Sequence, residues 1–484
     1  MKATLRVAVV GGGITGLSAA YYLQKLSAEA GLEFQVLLLE REQRWGGKIR
    51  TERVDGFVIE TGPDTFVSTK PWAVELCREL GIGDRLMGTD PARRRVYVLQ
   101  RGRLVQLPEG LASMVPTRWG AMLRTPLLSP LGKLRLGLDL VIPPRPGDRD
   151  ESLAQFITRR LGSEAYTWLI EPLMSGIYAG DGERLSLLAT FPHLREWEQR
   201  YGSLARGAQR ASPRLTPGGD PRHQGSVFLT PRRGLGELTE ALVSRLAGLG
   251  HCLGVAVRAV TLEGGHPRLR MESGEAQDVD AIILATPAFV SADLLDALDP
   301  TLASLLRQIE YVSAATVSLG YRLEDLPRPL DGLGYVIPRR EGRAALACTW
   351  TSTKFPHRAP EGYALLRVFF GRAGQPDILL DREQDVVRLA RAEVAETLGV
   401  QAMPILVRAG RWPRAMPQYN LGHRERIEVI RSRLAALPGI FLGGAGYDGI
   451  GIPDCIRSGR EAAQSALGFL QARSTALPRL VEAG

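Results

Sequence analysis

Three glycines near the amino terminus are the first residues whose spacing predicts chemistry. Gly11, Gly13 and Gly16 have the G-x-G-x-x-G spacing, and they follow the apolar segment Leu5–Val10. Glycines at these positions permit a tight turn, close approach of the backbone to a pyrophosphate, and close packing of a helix on a strand. The helix that follows would offer free N–H groups and partial positive charge to the phosphates. The spacing therefore predicts a strand, a turn and a helix that bind a dinucleotide.

A carboxylate at the end of the next predicted strand supports this interpretation. Residues 35–39 (QVLLL) lead into Glu40, which stands where an acid hydrogen-bonds the adenosine ribose. The alternative for Glu40 is an ordinary solvated carboxylate at a strand end. Residues 40–48 (EREQRWGGK) resemble the acid, arginine and double-glycine signature of the flavoprotein superfamily that includes amine oxidases. Residues 60–65 (ETGPDT) resemble the stretch that this superfamily places beside the isoalloxazine ring, so the resemblance implies FAD rather than NAD.

Length and composition indicate a globular protein of several domains. The chain has 484 residues, 44% of them hydrophobic and 23% charged, and about 150 residues per domain suggests roughly three domains. The 61 Lys+Arg against 52 Asp+Glu leave a net charge of +9, and most of the basic residues are arginine. This charge favours an anionic partner: nucleic acid, an acidic membrane surface or a polycarboxylate ligand. The alternative explanation for most of the arginines is the base composition of the genome.

The cysteines and histidines exclude other classes of protein. Four cysteines are too few for a disulfide scaffold, and the six histidines form no paired ligand motif, so we expect no metal site. An apolar strand begins almost at the first residue, so we expect no cleavable leader. No apolar run approaches the roughly 18–20 residues of a membrane span. We therefore expect a cytoplasmic protein, with any membrane contact peripheral and on the inner face of the membrane.

The middle of the chain predicts a helical domain. A Pro-rich, charged stretch at residues 143–150 separates two helical stretches, residues 116–142 and residues 152–174. The first mixes apolar and basic residues, a pattern that suits an anionic lipid surface. The alternative is that this stretch packs on its own domain with its basic residues solvated. Residues 199–224 are rich in Gly, Ser, Pro and Arg, which predicts a long loop.

The end of the chain predicts a return to the cofactor domain. Strands are predicted at residues 254–262 and 281–286, and residues 441–452 form a second glycine-rich turn that leads into a helix near Asp454. We therefore predict an α/β protein with a discontinuous Rossmann-like FAD-binding domain, a mixed α+β substrate domain and the helical domain. The predicted boundaries are 1–90, 225–290 and 408–484 for the FAD-binding domain, 91–110, 191–224 (a loop) and 291–407 for the substrate domain, and 111–190 for the helical domain.

Five segments of the chain resemble those of one enzyme family. They are residues 11–17 (GGGITGL), 170–181 (IEPLMSGIYAGD), 348–362 (CTWTSTKFPHRAPEG), 412–423 (WPRAMPQYNLGH) and 449–456 (GIGIPDCI). The first is shared by many flavoproteins, whereas the YAGD and MPQY-x-x-GH elements are far more specific. Over residues 7–470 the chain resembles the oxygen-dependent, FAD-containing protoporphyrinogen oxidase family. It is most similar to the bacterial coproporphyrinogen III oxidases within that family.

The resemblance implies a reaction. Enzymes of this family remove six hydrogens from a porphyrinogen in three two-electron steps, each of which passes a hydride to FAD. Dioxygen reoxidises the flavin and gives hydrogen peroxide. For the bacterial branch the resemblance implies coproporphyrinogen III as substrate, coproporphyrin III as product in haem biosynthesis, and a downstream ferrochelatase as a partner. Because the cofactor supplies the chemistry, no catalytic side chain is assigned.

The resemblance also implies site residues. Those expected to contact FAD are Gly11, Gly12, Gly13, Thr15, Gly16, Glu40, Arg41, Gly47, Lys48, Gly62, Pro63, Asp64, Thr65, Val257, Trp412, Gly444, Ile450, Gly451 and Ile452. Gly176 and Ile177 are expected beside the macrocycle, where the small glycine makes room for a flat ring. Lys70 is the candidate for a propionate contact, and its alternative is a solvated lysine at the start of a helix.

Two further substrate contacts are expected. Asp64 could orient pyrrole N–H groups, or it could cap the turn in which it lies. Plant-type relatives have an arginine at the substrate mouth that aligns with Val96, whereas this chain has three arginines just before it, ending in Arg95. Either Arg95 takes that role or the mouth is built differently.

Three other functions compete with this interpretation. The first is oxidation of protoporphyrinogen IX, which has two propionates where the copro substrate has four. The second is amine oxidation, which would need an aromatic cage for the amine. The third is nucleic-acid binding, but the chain has no motif for reading bases and its arginines are scattered, so we expect no nucleic-acid partner.

Overall fold

The computed structural model describes residues 5–31, 33–90, 93–112, 114–210, 226–248, 250–375 and 382–481. Its strands are β1 (Leu5–Val10), β2 (Phe34–Glu40), β3 (Thr51–Val54), β4 (Phe57–Glu60), β5 (Phe66–Val67), β6 (Leu86–Gly88), β7 (Val96–Gln100), β8 (Arg103–Gln106), β9 (Leu111–Ala112), β10 (Val115–Pro116), β11 (Phe228–Pro231), β12 (Gly250–Leu253), β13 (Val257–Glu263), β14 (His266–Met271), β15 (Ala276–Asp278), β16 (Ala281–Leu284), β17 (Tyr311–Arg322), β18 (Gly334–Val336), β19 (Ala345–Trp350), β20 (Tyr363–Phe370), β21 (Leu406–Pro417) and β22 (Ile440–Leu442). Its α-helices are α1 (Ile14–Ala30), α2 (Trp72–Glu79), α3 (Trp119–Arg124), α4 (Pro130–Gly137), α5 (Leu153–Leu161), α6 (Ser163–Ala165), α7 (Glu171–Tyr178), α8 (Leu187–Thr190), α9 (Pro192–Tyr201), α10 (Leu204–Arg210), α11 (Gly236–Arg245), α12 (Ala288–Leu295), α13 (Pro300–Arg307), α14 (Thr351–Lys354), α15 (Glu383–Leu398), α16 (His423–Leu434) and α17 (Ile452–Val481).

A five-stranded parallel sheet forms the first domain. Its order is β12-β2-β1-β16-β22, so it draws strands from the beginning, the middle and the end of the chain. Every residue of β16 is buried, as expected for a parallel strand that is covered on both faces. Alternate residues of β1 enter two different cores, one with α1 and α17 and one with α12 and α13. The predicted discontinuous α/β fold is confirmed.

Helices α1 and α17 pack closely because α17 has a glycine at their contact. A Cβ atom at Gly459 would lie 2.3 Å from the carbonyl oxygen of Thr15, so only a glycine allows this approach. The contact holds the amino ends of the two helices together. The first and last cofactor segments predicted from the sequence therefore meet.

A seven-stranded mixed sheet forms the second domain. Its order is β21-β17-β20-β19-β18-β7-β8, with β7 parallel to β18 and the other neighbours antiparallel. Helix α15 packs on it through buried residues such as Val386 and Val394. Strands β7 and β8 come from the first quarter of the chain, in line with the two-part substrate domain expected from the sequence. The domain boundaries themselves stay predictions.

The helical domain differs from expectation in two places. Residues 116–142 do not form one helix, because prolines at positions 126 and 130 end α3 and start α4. The loop predicted over residues 191–224, including its Gly-, Ser-, Pro- and Arg-rich part from residue 199, is wrong for residues 192–201 and 204–210, which form α9 and α10. Leu204 and Ala208 of α10 are fully buried in the helical core. Burial of this face explains why a stretch of loop-like composition is helical. The rest of that prediction, residues 211–224, falls outside the described residues.

Two smaller points complete the architecture. The strand predicted over residues 254–262 begins only at Val257, because Gly254 has a positive φ of 71° and turns the chain. Strand β13 then joins β14 and β15 in a separate three-stranded sheet. Among the helices of the described residues, none combines the length and the apolar character needed to cross a bilayer.

Candidate active site

The glycine turn lies at the carboxyl end of β1, where the strand order of the parallel sheet reverses. Ligands of open α/β sheets bind in the crevice at such a reversal. A Cβ at Gly16 would lie 1.8 Å from the carbonyl oxygen of Gly11, so the turn is as tight as the motif predicts. By contrast, a Cβ at Gly13 would have no neighbour within 4 Å. The turn is therefore tightly packed at Gly16, and it leaves open space at Gly13, at the amino end of α1.

Glu40 joins this turn to the loop that follows β2. Its two carboxylate oxygens accept hydrogen bonds from the backbone N–H groups of Gly12 (2.7 Å) and Glu42 (2.9 Å). The N–H of Gly46 donates to the carbonyl of Gly12 at 2.8 Å, which brings the double glycine onto the first turn. Arg41 is different, because its side chain is exposed and contacts Glu42 rather than the crevice.

The predicted adenine contact lies at the same end of the sheet. The N–H of Val255 donates to the carbonyl of Glu40 at 3.0 Å, so the chain crosses the end of β2 just before β13. Val257 is partly buried against the core that contains Val10 and Leu39. The structure thus brings Val257 beside the Glu40 loop, although more than two hundred residues separate them.

A second cluster surrounds the segment 60–65. A Cβ at Gly62 would lie 1.8 Å from the carbonyl oxygen of Lys48, so this segment crosses the double-glycine loop with no room for a side chain. The indole N–H of Trp412 donates to the carbonyl of Thr61 at 2.6 Å. The ammonium of Lys48 donates to the carbonyl of Ala415 at 2.5 Å, and the walls around it lower its pKa by excluding water. Residues from three distant segments therefore meet here.

The carboxy-terminal glycine turn is held by a tyrosine. The hydroxyl of Tyr419 accepts a hydrogen bond from the N–H of Gly449 (2.7 Å) and donates to the carbonyl of Ala445 (2.6 Å). The N–H of Gly444 donates to the hydroxyl of Ser458 in α17 at 2.9 Å. These bonds position residues 450–452, the last predicted cofactor contacts, at the amino end of α17.

Charged residues of the second domain surround the same segment. Lys354 Nζ lies 2.9 Å from Asp64 Oδ2, and the guanidinium of Arg367 donates to the carbonyl of Gly62. Arg358 forms a buried ion pair with Glu60 at 3.0 Å. Burial by itself would raise the pKa of Asp64, but the charges of Lys354, Arg367 and Arg358 outweigh it and lower that pKa. Asp64 is therefore ionised.

Sequence reasoning missed these basic residues as members of the site. Lys354 and Arg358 lie within residues 348–362, a segment that the resemblance had already singled out. Their position in that segment was therefore the signal in the sequence that could have identified them as site residues. Their carboxylate partners lie nearly three hundred residues earlier, and no local pattern indicates such pairing.

The two residues expected beside the macrocycle lie together on α7. Gly176 is exposed and a Cβ there would meet nothing within 4 Å, while Ile177 is an exposed large apolar residue. The carbonyl of Tyr178, at the end of α7, accepts a hydrogen bond from the side chain of Gln418 at 2.9 Å. Gln418 precedes Tyr419, so the end of α7 is tied to the residue that holds the carboxy-terminal turn.

The two basic residues expected to meet propionates are both in ion pairs. The ammonium of Lys70 contacts both carboxylate oxygens of Asp454, at 2.7 and 2.6 Å, and is partly exposed. Asp454 lies in the first turn of α17, so Lys70 is brought to the carboxy-terminal glycine turn. Arg95 instead forms an exposed pair with Asp331 at 2.8 Å, just before β7 of the seven-stranded sheet. The structure does not bring Arg95 into contact with the Asp64 cluster.

The fold and the site define a class of protein: a flavin-dependent oxidoreductase with a dinucleotide-binding domain and a separate substrate domain. The chain matches the model of the family described as flavin containing amine oxidoreductase over residues 14–467. It belongs to that family, and the prediction of an FAD cofactor is confirmed. The tight glycine turn, the open amino end of α1 and the Glu40 carboxylate fit this cofactor.

Individual relatives are similar over the whole chain. The chain is 36% identical over 465 residues to the coproporphyrinogen III oxidase of Bacillus subtilis (strain 168), covering 96% of this chain and 98% of that protein. It is 32% identical over 476 residues to the coproporphyrinogen III oxidase of Staphylococcus aureus (strain NCTC 8325 / PS 47), covering 96% and 100%. A crystal structure from Exiguobacterium sp. 255-15, described as a protoporphyrinogen oxidase, superposes with a TM-score of 0.85 at 32% identity, covering 97% and 100%.

Proposed function

We propose that this protein oxidises coproporphyrinogen III to coproporphyrin III, a step of haem biosynthesis, with dioxygen as the final acceptor. The observation that carries the proposal is its similarity along the whole chain to coproporphyrinogen III oxidases. The substrate loses six hydrogens in three two-electron steps. Each step reduces one dioxygen to one hydrogen peroxide, so three molecules of dioxygen are used for each porphyrin formed.

The residues that would hold FAD lie in the loops around the crevice. The open amino end of α1 suits the pyrophosphate, and the Glu40 carboxylate suits the ribose. When bound, FAD supplies the two-electron acceptor for each pair of hydrogens. The segment 60–65, fixed through its carbonyls by Trp412 and Arg367, then provides a rigid wall beside the substrate.

A porphyrinogen needs three kinds of contact: a flat apolar face, acceptors for its central N–H groups, and cations for its carboxylates. Gly176 and Ile177 offer an apolar face without a bulky side chain. An ionised Asp64 has only acceptors, which suits pyrrole N–H donors. We assign the propionate contacts to Lys70 and Arg95, whose ion pairs with aspartates would then be shared with the substrate.

A side-by-side assay tests the substrate. FAD-loaded protein receives coproporphyrinogen III or protoporphyrinogen IX in air, and porphyrin fluorescence and hydrogen peroxide are followed together. We expect fluorescent coproporphyrin III with three peroxides for each porphyrin. Turnover of protoporphyrinogen IX alone would replace the proposal with that sister activity, which similarity to the Exiguobacterium structure supports. Failure with both substrates would overturn it.

We also propose a cytoplasmic location with peripheral contact at the inner face of the membrane. Helix α4 and the residues after it expose Leu131, Leu134 and Val141, and Leu131 is 78% exposed. Leu123 of α3 is exposed nearby in the chain, and Arg124 adds a basic side chain. Exposed leucines beside basic residues suit an anionic lipid surface. A ferrochelatase that inserts iron into the product is the partner that this product implies.

Vesicle binding tests the membrane contact. The protein is sedimented with phosphatidylglycerol vesicles, and with phosphatidylcholine vesicles as the neutral comparison. We expect binding to the anionic vesicles that is lost in the variant with Leu131→Glu and Leu134→Glu. The matched control is Leu323→Glu, which changes an exposed leucine of the substrate domain and should bind as the unmodified protein does. Equal binding of both variants would overturn the proposed contact.

A further inference from the structure

Lys354 occupies an unusual position for a lysine. Its ammonium lies 2.9 Å from Asp64 Oδ2, and the side chains of Lys354 and Asp64 are only 12% and 19% exposed. The same ammonium lies 5.4 Å from the ring centres of Phe228 and Phe355. Aromatic faces attract a cation, and most water is excluded here, so the ion pair is stronger than a surface pair. Lys354 and Asp64 therefore hold each other in one geometry.

Arg367 fixes the segment that contains Asp64. It is fully buried on β20 and donates to the carbonyl of Gly62, two residues before Asp64. Its Nε and one terminal nitrogen have no hydrogen-bond partner within the described part of the chain. A buried guanidinium with so few hydrogen bonds is stabilised mainly by nearby negative charge, and Asp64 and Glu60 supply it. Arg367 thus orients the segment and adds positive charge beside Asp64.

The charged groups that face Asp64 come from four elements. Lys354 lies on α14, Arg367 on β20 and Arg358 on the 3-10 helix that follows α14, while Glu60 at the end of β4 is the other carboxylate. Three cations therefore face two carboxylates. The hydroxyl of Thr65 also donates to Asp64 Oδ1, at 3.2 Å. Lys354 is the cation in direct contact with Asp64.

We propose that Lys354 is a positioning residue for the porphyrinogen: it holds Asp64 ionised and oriented, so that this carboxylate accepts hydrogen bonds from the pyrrole N–H groups. The inference rests on the proposed function, because it assumes a porphyrinogen in the site. The chemistry follows from the substrate. A porphyrinogen has four N–H donors at its centre, whereas the oxidised porphyrin has two, so an acceptor-only group binds the substrate better than the product.

The charges around Asp64 predict how the pH dependence of substrate binding changes when Lys354 is replaced. In the unmodified protein the cations hold the pKa of Asp64 below its ordinary value, so the carboxylate stays ionised at neutral pH. Replacing Lys354 by methionine removes the cation in contact with Asp64 but leaves the burial. The pKa of Asp64 then rises, and binding that needs the carboxylate is lost at a higher pH than before.

The experiment measures kcat and KM for coproporphyrinogen III between pH 5 and 9 in four FAD-loaded proteins. These are the unmodified protein, Lys354→Met, Lys354→Arg and Lys25→Met. Lys25 is the matched control because its partner Glu79, at 3.0 Å, forms a pair on the surface of the first domain. We expect Lys354→Met to raise KM about tenfold near neutral pH, as the loss of one charge-assisted hydrogen bond predicts. Its KM should rise further as the pH falls towards 5, whereas the KM of the unmodified protein should not rise from this cause, because its Asp64 stays ionised across this range.

The other variants test whether the effect depends on the charge of Lys354 and on Asp64. Lys354→Arg keeps the charge and should follow the unmodified profile, as should Lys25→Met. In an Asp64→Asn background, Lys354→Met should change kcat/KM by less than about twofold, because the group on which it acts is gone. Bound FAD for each protein, measured by absorbance, should be equal in Lys354→Met and Lys25→Met.

Three results would overturn the proposal. One is a KM for Lys354→Met that rises no more steeply than that of the unmodified protein as the pH falls towards 5. Another is a loss that is much larger for the four-propionate substrate than for protoporphyrinogen IX, which would make Lys354 a propionate contact instead. The third is loss of bound FAD. If the unmodified protein oxidises neither porphyrinogen, the proposed function has failed; if it is active and Lys354→Met matches Lys25→Met, only the positioning role has failed.

Discussion

Glu60 and Arg358 form a buried ion pair across 298 positions of the sequence, with 3.0 Å between carboxylate oxygen and guanidinium nitrogen. The side chains are 3% and 1% exposed. The carboxylate of Glu60 also accepts hydrogen bonds from the N–H of Leu235 and the hydroxyl of Thr51, both at 2.7 Å. Arg358 donates to the hydroxyl of Thr230 at 2.6 Å. One pair therefore joins the cofactor domain to the segment that contains Lys354.

Removing one member of this pair should destabilise the protein strongly. Arg358→Met leaves the Glu60 carboxylate buried without its partner, which costs about 3–5 kcal/mol. The midpoint of thermal unfolding at pH 7 with saturating FAD measures the loss. Arg95→Met breaks the exposed pair with Asp331 and should lower the midpoint far less, because solvent screens an exposed ion pair. Equal midpoints for the two variants would contradict the structural role of the buried pair.

Two glycines of the same motif should respond differently to alanine. Gly16→Ala places a Cβ onto the carbonyl of Gly11, so we expect the unfolding midpoint of the FAD-free protein to fall. Gly13→Ala meets no protein atom and should leave that midpoint unchanged. Its Cβ lies on the open side of the turn, so FAD affinity should drop about tenfold or more. Fluorescence titration of FAD measures this, and unchanged affinity in Gly13→Ala would place the pyrophosphate elsewhere.

Loss of the Tyr419 hydroxyl should weaken FAD binding and leave the packing of the ring in the core unchanged. Tyr419→Phe keeps the ring stacked on His423, whose ring centre lies 4.1 Å away, but leaves the N–H of Gly449 without its acceptor. A donor left unpaired in this partly buried position costs about 1 kcal/mol or more. We expect the Kd for FAD to rise about tenfold, as measured by equilibrium titration. Tyr21→Phe, which removes a hydroxyl contact with Glu79 on the first domain, is the control and should leave the Kd unchanged.

His357 should make stability depend on mildly acidic pH. Burial, and then the charges of Arg358 and Arg232, lower its pKa to about 4. In the unfolded chain its pKa is about 6.5. As pH falls from about 6.5 towards 4, the unfolded state therefore takes up a proton that the folded state does not, and stability is lost across that window.

The unfolding midpoint between pH 7 and pH 5 measures this dependence. His357→Phe should reduce the slope of the unfolding midpoint against pH. The substitution removes no hydrogen bond, because neither ring nitrogen of His357 has a partner among the residues described. His266→Gln, a change at an exposed histidine, should keep the slope of the unmodified protein. If His357→Phe also keeps it, another group controls the acid sensitivity.

The sequence predicted the parts of the site that depend on local geometry. The turn from Gly11 to Gly16 and the acid at Glu40 lie where the motif places them, because tight turns and strand ends are set by neighbouring residues. It did not predict α10, because propensity favours a loop there. Burial of Leu204 and Ala208 against the helical core overrides that preference.

Ionic partners were decided by the folded chain. From the sequence, Lys70 was the candidate for a propionate contact, and the structure pairs it with Asp454. The contact between Lys354 and Asp64 joins residues 290 positions apart. Charged side chains are solvated by default, and their local sequence does not indicate a partner. Such pairs form only where packing brings two segments together and excludes water. The sequence by itself therefore determined the composition, the cofactor motif and the family features. The arrangement of charges around Asp64 was decided only by the tertiary structure.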